Sequence, residues 1–157
     1  MKVIKLAQIP PPIVFAKQTV LEGVRVLKKL RVGAAAVLEN DQLVGIFSER
    51  DVLLRIVAEV KDPNKTLVST VMTTIIEKAG SKTECGDALE CMVNQHIRHL
   101  PVVDHNGSLI GLVSIRNLLQ HYVEDLADQL NSLEAYFTAD GPGGEQILWV
   151  VSVCGSS

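Results

Sequence analysis

The chain repeats itself. Residues Val44-Gly45-Ile46-Phe47-Ser48-Glu49-Arg50-Asp51-Val52-Leu53 lie over Ile110-Gly111-Leu112-Val113-Ser114-Ile115-Arg116-Asn117-Leu118-Leu119 at an offset of 66, with Gly, Ser, Arg and one Leu coinciding. Upstream, Ala36-Val37 falls over Val102-Val103 and the turn-forming Asn40-Asp41 over Asn106-Gly107. Further back, Thr19 to Val24 matches Glu84 to Leu89 after a one-residue adjustment. Self-similarity of this kind means two copies of one supersecondary unit, here about 50 residues each. A chain of about 60 residues buries only about 60% of the surface it exposes when unfolded, so the copies must share an interface. Two like blocks packed face to face acquire approximate twofold symmetry, and with it two equivalent clefts where their hairpins meet.

Both copies read in the same order. Val20, Val24, Leu27 and Leu30 fall at helical spacing over residues 20–31, and Ala88, Leu89, Met92 and Ile97 do the same in the second copy. Short apolar strands follow, at 34–38 and 100–103, then turns at 39–41 and 104–107, then second strands at 43–47 and 109–113, so each copy contains a hairpin. A second helix runs over 49–60 and from Ile115 onward. Ile13-Val14-Phe15 and Ile75-Ile76 each suggest a short leading strand. The expected fold is α/β (α+β), two repeats each with a small sheet flanked by two helices, packed with pseudo-twofold symmetry. The repeats are expected over 1–66 and 67–124. An extension over 125–157 holds an amphipathic helix, a Gly-rich linker and an apolar, strand-like tail.

Composition narrows the function. Fifteen Lys and Arg against eighteen Asp and Glu give a net charge of −3, so no global field holds a phosphate backbone. Aromatics are 4% of residues, with Trp149 the single tryptophan, which removes the stacking platform of single-strand binders. Nucleic acid is not expected as a partner. No apolar run approaches the about 18 residues of a spanning helix, and Met1 to Leu6 do not begin a secretory leader, so no membrane is expected and the expected location is cytoplasmic. Cys85, Cys91 and Cys154 form no C-x-x-C pair and are expected to be free thiols; their spacing leaves any redox role open. His96, His99, His105 and His121 show no zinc spacing, and no metal is expected.

Four marks carry a resemblance: Gly45 to Asp51, Gly111 to Asn117, Arg98-His99-Leu100-Pro101-Val102-Val103-Asp104, and the linker Val71-Met72-Thr73. In this order, within two repeats, they resemble a tandem pair of CBS domains, a Bateman module, over about residues 5–124. Stand-alone proteins of that family are similar also in a closing Leu-x-x-Leu-x-x-Tyr helix, here Leu130 to Tyr136. The resemblance implies a regulatory module that binds an adenosyl ligand (AMP, ADP, ATP, NAD or S-adenosylmethionine), with AMP or ATP foremost. It also implies a homodimer of side-by-side pairs and a regulated protein partner.

The residues admit that chemistry alongside a plainer one. Ser48-x-x-Asp51, at the end of a strand and the start of a helix, has the spacing of a capping box. The same helix start offers N–H groups to a phosphate while the carboxylate can accept from ribose hydroxyls. The second copy replaces that carboxylate by Asn117 beside Ser114, keeping an acceptor but losing charge-assisted strength, so its cleft is expected to be weaker or differently selective. Arg50 and Arg116 read either as solvated charges or as phosphate contacts. Arg98 and His99 read either as a surface cation beside a helix-ending histidine or as phosphate donors. By resemblance, Arg98 and His99 share a cleft with Ser48 and Asp51. In that cleft adenine would lie against apolar backbone such as Ile75-Ile76; Ile13, Val14 and Pro101 are further candidates to meet the base through backbone or apolar contact.

No nucleophile elbow, P-loop or dinucleotide fingerprint occurs, and Gly141-Pro142-Gly143-Gly144 lacks the Lys and Ser or Thr of a phosphate loop. Cys91 near His96 reads as core rather than as a nucleophile with its base. Leu119, Tyr122, Leu126, Leu130, Leu133 and Phe137 form one apolar stripe, suited to packing on its own module or on a partner subunit. The expected function is therefore non-catalytic, with no catalytic cofactor: ligand sensing between two repeats. The alternative is a structural or adaptor subunit whose clefts bind no nucleotide.

Overall fold

A computed structural model describes residues 1–74 and 77–139. Strand β1 (Ile13–Phe15) leads into helix α1 (Val20–Leu30). Thr19 caps that helix: its hydroxyl accepts the Glu22 N–H at 3.2 Å, and the Glu22 carboxylate accepts the Thr19 N–H at 2.8 Å. The helix stops where Arg31 turns left-handed at φ 54°. Strands β2 (Ala34–Glu39) and β3 (Gln42–Ser48) form a hairpin. Asn40 and Asp41 connect them with φ of 49° and 61°, the paired positive values of a type I′ turn, which suits the right-handed twist of the strands. Helix α2 (Glu49–Val52) follows directly. Helix α3 (Val68–Val71) and strand β4 (Thr73–Thr74) lead to the second copy: β5 (Ala79–Gly80), α4 (Cys85–Asn94), β6 (His99–Val103), β7 (Leu109–Ser114) and α5 (Ile115–Ala139). The sheets run β1-β2-β3-β4 and β5-β6-β7, with β1 and β5 parallel to their neighbours and each hairpin antiparallel.

Strand pairing corrects the sequence alignment of the copies. Val37 pairs with Gly45, and Val102 with Gly111, so Val37 corresponds to Val102 rather than to Val103. The second hairpin has one extra residue between Val103 and Leu109, which makes the offset 65 before the loop and 66 after it. Both hairpins break register at the same place, between Val37 and Leu38 and between Val102 and Val103. In the second copy Ala79–Gly80 forms a strand parallel to β6, and the expected strand at Ile75-Ile76 lies outside the described residues.

The lead-in of each copy packs on the other copy. Before the second repeat, Val68 N–H donates to the Gln18 carbonyl at 2.9 Å, Val20 N–H to the Thr66 carbonyl at 2.8 Å, and Thr73 and Thr74 add a strand beside Ile46 and Gly45. Before the first repeat, Val3 N–H donates to the Thr83 carbonyl at 2.8 Å, Cys85 N–H to the Met1 carbonyl at 2.9 Å, and Gln8 bridges to Leu112. The exposed Glu84 carboxylate also receives the Met1 and Lys2 ammonium groups, pairs that water screens to a small net value. Val68 and Val71 are fully buried in the core of the first copy with Val20, Leu27, Val37 and Phe47. Neither copy completes its core from its own hairpin and helix.

Two glycines permit the crossing. A Cβ on Gly45 would lie 2.5 Å from Met72 Sδ and 2.9 Å from the Thr73 carbonyl oxygen, and one on Gly111 would lie 2.9 Å from Ala7 Cβ. Any larger residue would push the lead-in off the strand.

Two element boundaries differ from expectation. The helix expected over 49–60 is α-helical only to Val52 and becomes a π-turn over Leu53–Val57, where Ala58 N–H reaches back five residues to the Leu53 carbonyl at 3.0 Å. Ile97 lies beyond α4 because His96 adopts φ 54° and ends the turn. Residues Met1–Gln120 form one compact unit, and the described residues from His121 to Ala139 belong to a second. Among the described residues no helix is long and apolar enough to cross a membrane. Cys154, the Gly141–Gly144 linker and the apolar tail fall outside the described residues.

Gly45→Ala is expected to lower unfolding stability by about 1–3 kcal/mol, since overpacking against backbone has little room to relax. Urea denaturation of this variant beside wild type measures the loss, and an unchanged midpoint would contradict the close approach.

Candidate functional site

The end of each hairpin places a capped helix start beside the lead-in that crosses it. In the first copy, β3 delivers Ser48 to the N-terminus of α2. The Ser48 hydroxyl accepts the Asp51 N–H at 3.3 Å, while the Asp51 carboxylate accepts the Ser48 N–H at 2.9 Å and the Ser48 hydroxyl at 3.0 Å. The capping-box reading is thus realised. Asp51 does more than cap, because its other oxygen accepts the Thr73 hydroxyl at 3.0 Å, joining the helix start to β4. Arg55 lies 3.8 Å from the same oxygen and donates to the Val71 and Met72 carbonyls at 2.6 and 2.8 Å. Asp51, 7% exposed, is the buried charged residue of the described chain, and these partners satisfy it.

A cleft of about 880 Å³ opens at this helix start, within the range of about 300–1,000 Å³ usual for small-molecule sites. The first copy contributes Ser48, Arg50 and Asp51, and the second contributes Arg98, His99 and Pro101. Thr73 and Thr74 from the lead-in close one side, and Leu53 and Leu54 of the π-turn supply apolar wall. The geometry therefore gathers six of the residues singled out from sequence. Ile13 and Val14 do not line this cleft, and the Val14 side chain is fully buried in the first copy's core. Ile75 and Ile76 fall outside the described residues.

Ser114, Arg116 and Asn117 occupy the equivalent helix start of the second copy and do not line this cleft. There Ser114 accepts the Asn117 N–H at 3.2 Å, and the Asn117 side chain donates to the Leu6 carbonyl at 3.3 Å. Aspartate accepts from a lead-in hydroxyl in one copy, whereas asparagine donates to a lead-in carbonyl in the other. The substitution thus fits the partner that each lead-in presents.

Charge in the cleft is mixed. Arg50, Arg55 and Arg98 face it together with Glu49 and Glu77. The Glu49 side chain lies over Gly33, where a Cβ would stand 2.6 Å from its carboxylate oxygen. Gly33 is the counterpart of Arg98: its carbonyl accepts the Glu49 N–H at 3.0 Å, as the Arg98 carbonyl accepts the Ile115 N–H at 2.8 Å. Burial pushes the His99 imidazole below its ordinary 6.5; Glu49 pulls the other way and Arg98 adds to the lowering. Cys85 is buried and Cys91 half-buried, and burial raises both thiols, which keeps them protonated.

Sequence reasoning missed Thr73, Arg55 and Glu49. The Asp51-to-Arg55 spacing of four was a legible signal of an ion pair, but the Thr73 contact crosses 22 residues and could not be read locally.

A family model described as "CBS domain" matches residues 4–58 and 68–124. The CBS domain-containing protein YhcV of Bacillus subtilis is 37% identical over 101 residues, covering 64% of this chain and 71% of that one. An uncharacterized protein of Methanopyrus kandleri is 31% identical over 104 residues, 66% of this chain; the match spans only 53% of that relative's length. Among solved structures, the CBS domain protein PAE2072 from Pyrobaculum aerophilum, complexed with AMP, is 30% identical with a TM-score of 0.68, covering 74% of this chain and 89% of that one. With both repeats matched and the fold shared, the chain belongs to the CBS-domain family.

Proposed function

We propose that the chain is a regulatory, non-catalytic module that binds an adenine nucleotide in the cleft between its two repeats and signals to a protein partner as a homodimer. The observation that carries this reading is the joining of the Ser48–Asp51 helix start of one copy with Arg98 and His99 of the other in one cleft. The AMP complex of the Pyrobaculum relative supports the ligand class. In this reading the ribose hydroxyls meet Asp51 and Thr73, and the phosphate meets Arg98, His99 and Arg50. Adenine lies toward Pro101.

Charge favours a monophosphate. Three arginines face two glutamates that have no part in the cap, so the cleft offers little excess positive charge to a triphosphate, which would bring its outer phosphates toward Glu49. Ligand binding changes a partner's state only through different affinity for two arrangements of the repeats. The reading of an adaptor with empty clefts is favoured by one observation: protein donors already occupy both Asp51 oxygens.

Thermal unfolding with AMP, ADP, ATP, NAD and S-adenosylmethionine separates the two readings. A ligand at a hundred times its dissociation constant stabilises by about 2.7 kcal/mol. AMP is expected to raise the melting temperature and Arg98→Ala to weaken its binding about 10-fold or more, the loss of a charge-assisted hydrogen bond. No shift with any adenosyl compound would establish the adaptor.

Glu49→Gln is expected to improve ATP affinity more than AMP affinity in calorimetric titration. An equal change for both would reject Glu49 as the selector.

Because His99 titrates lower folded than unfolded, the unfolded chain binds more protons and stability falls as pH drops through about 6.5. A bound phosphate reverses that preference, so AMP affinity is expected to rise between pH 8 and 6, relative to His99→Gln. Parallel pH profiles for the two proteins would deny the contact.

A further inference from the structure

Helix α5 carries an exposed apolar seam with the period of a coiled coil. Val123, Leu126, Leu130, Leu133 and Phe137 are spaced 3, 4, 3 and 4 residues apart, and they are 54–74% exposed. Strict 3-4 spacing places Val123, Leu130 and Phe137 at a positions and Leu126 and Leu133 at d, over about 21 Å of helix at 1.5 Å per residue. Leucine at both d positions suits a parallel two-stranded pairing.

The flanks say which partner fits. Between Ile115 and Ala139 the helix carries four acidic residues, Glu124, Asp125, Asp128 and Glu134, with Arg116 its one Lys or Arg. Glu124, Asp125 and Asp128 fall at b, c and f, away from the seam. The flanking g and e positions are Tyr122, Ala127, Gln129, Glu134 and Tyr136, so self-pairing sets Gln129 against Glu134 and Tyr122 against Ala127, with no like charges opposed. A basic partner helix would find its complementary acids on the wrong face.

We propose that residues 123–137 pair in parallel with the same residues of a second copy of this chain, through the Val123 to Phe137 seam. The inference rests on the homodimer reading above and assigns it a surface. Sedimentation equilibrium of the full chain tests it. Wild type is expected to be dimeric, and Leu130→Glu and Leu130→Lys are each expected to raise the dimer dissociation constant more than about 100-fold, because an unpaired charge is buried in the seam. Mixing the two variants is expected to restore the dimer, since an a position faces its own counterpart in a parallel pair. Urea unfolding and the AMP melting shift of each variant, read at the concentrations used, report separately on folding and on the nucleotide site. A monomeric wild type, a variant still dimeric, or a mixture that stays monomeric would each overturn the proposal.

Discussion

The close approach of backbone at Gly45 and Gly111 is the constraint on which the rest of the structure depends. At each glycine a lead-in segment passes within contact distance of the hairpin's second strand, and it belongs in sequence to the opposite copy. The exchange is reciprocal. It lets a unit too small for its own core borrow Val68 and Val71, and it explains why repeats that are separable on paper form one compact unit.

The candidate site is a by-product of that exchange. Where β4 crosses β3, the Thr73 hydroxyl comes to the Asp51 carboxylate, and Arg55 holds the carbonyls on either side of the crossing. Asp51 is therefore a structural group that also lines the cleft, its carboxylate fixed by partners from both the helix start and the lead-in. Substituting it removes a buried hub, which makes Arg98, exposed and without a packing role in the core, the cleaner probe of binding.

The copies have diverged where their surroundings differ. In one, an acceptor meets a threonine hydroxyl; in the other, a donor meets the Leu6 carbonyl. In one, a cation stands before the hairpin; in the other, a glycine yields to Glu49. Pseudo-symmetry in the backbone thus carries two chemically unlike helix starts, and the described cleft joins the Asp51 start to Arg98 and His99.

The sequence by itself determined the repeat, the hairpins with their turn, the capping box at Ser48, and the family resemblance. These signals are local: periodicity, turn residues and spacings of three or four. Only the tertiary structure decided that Ala79–Gly80 pairs beside β6, that the Val14 side chain is buried in the first core, and that Thr73 and Arg55 complete the Asp51 hub. The one-residue insertion in the second hairpin loop shifted the upstream alignment, and no local pattern marks where such an insertion falls. The lead-in exchange was hidden for a related reason: a short segment gains its place by burying apolar groups in another repeat, and that energy exists only after the chain has closed on itself.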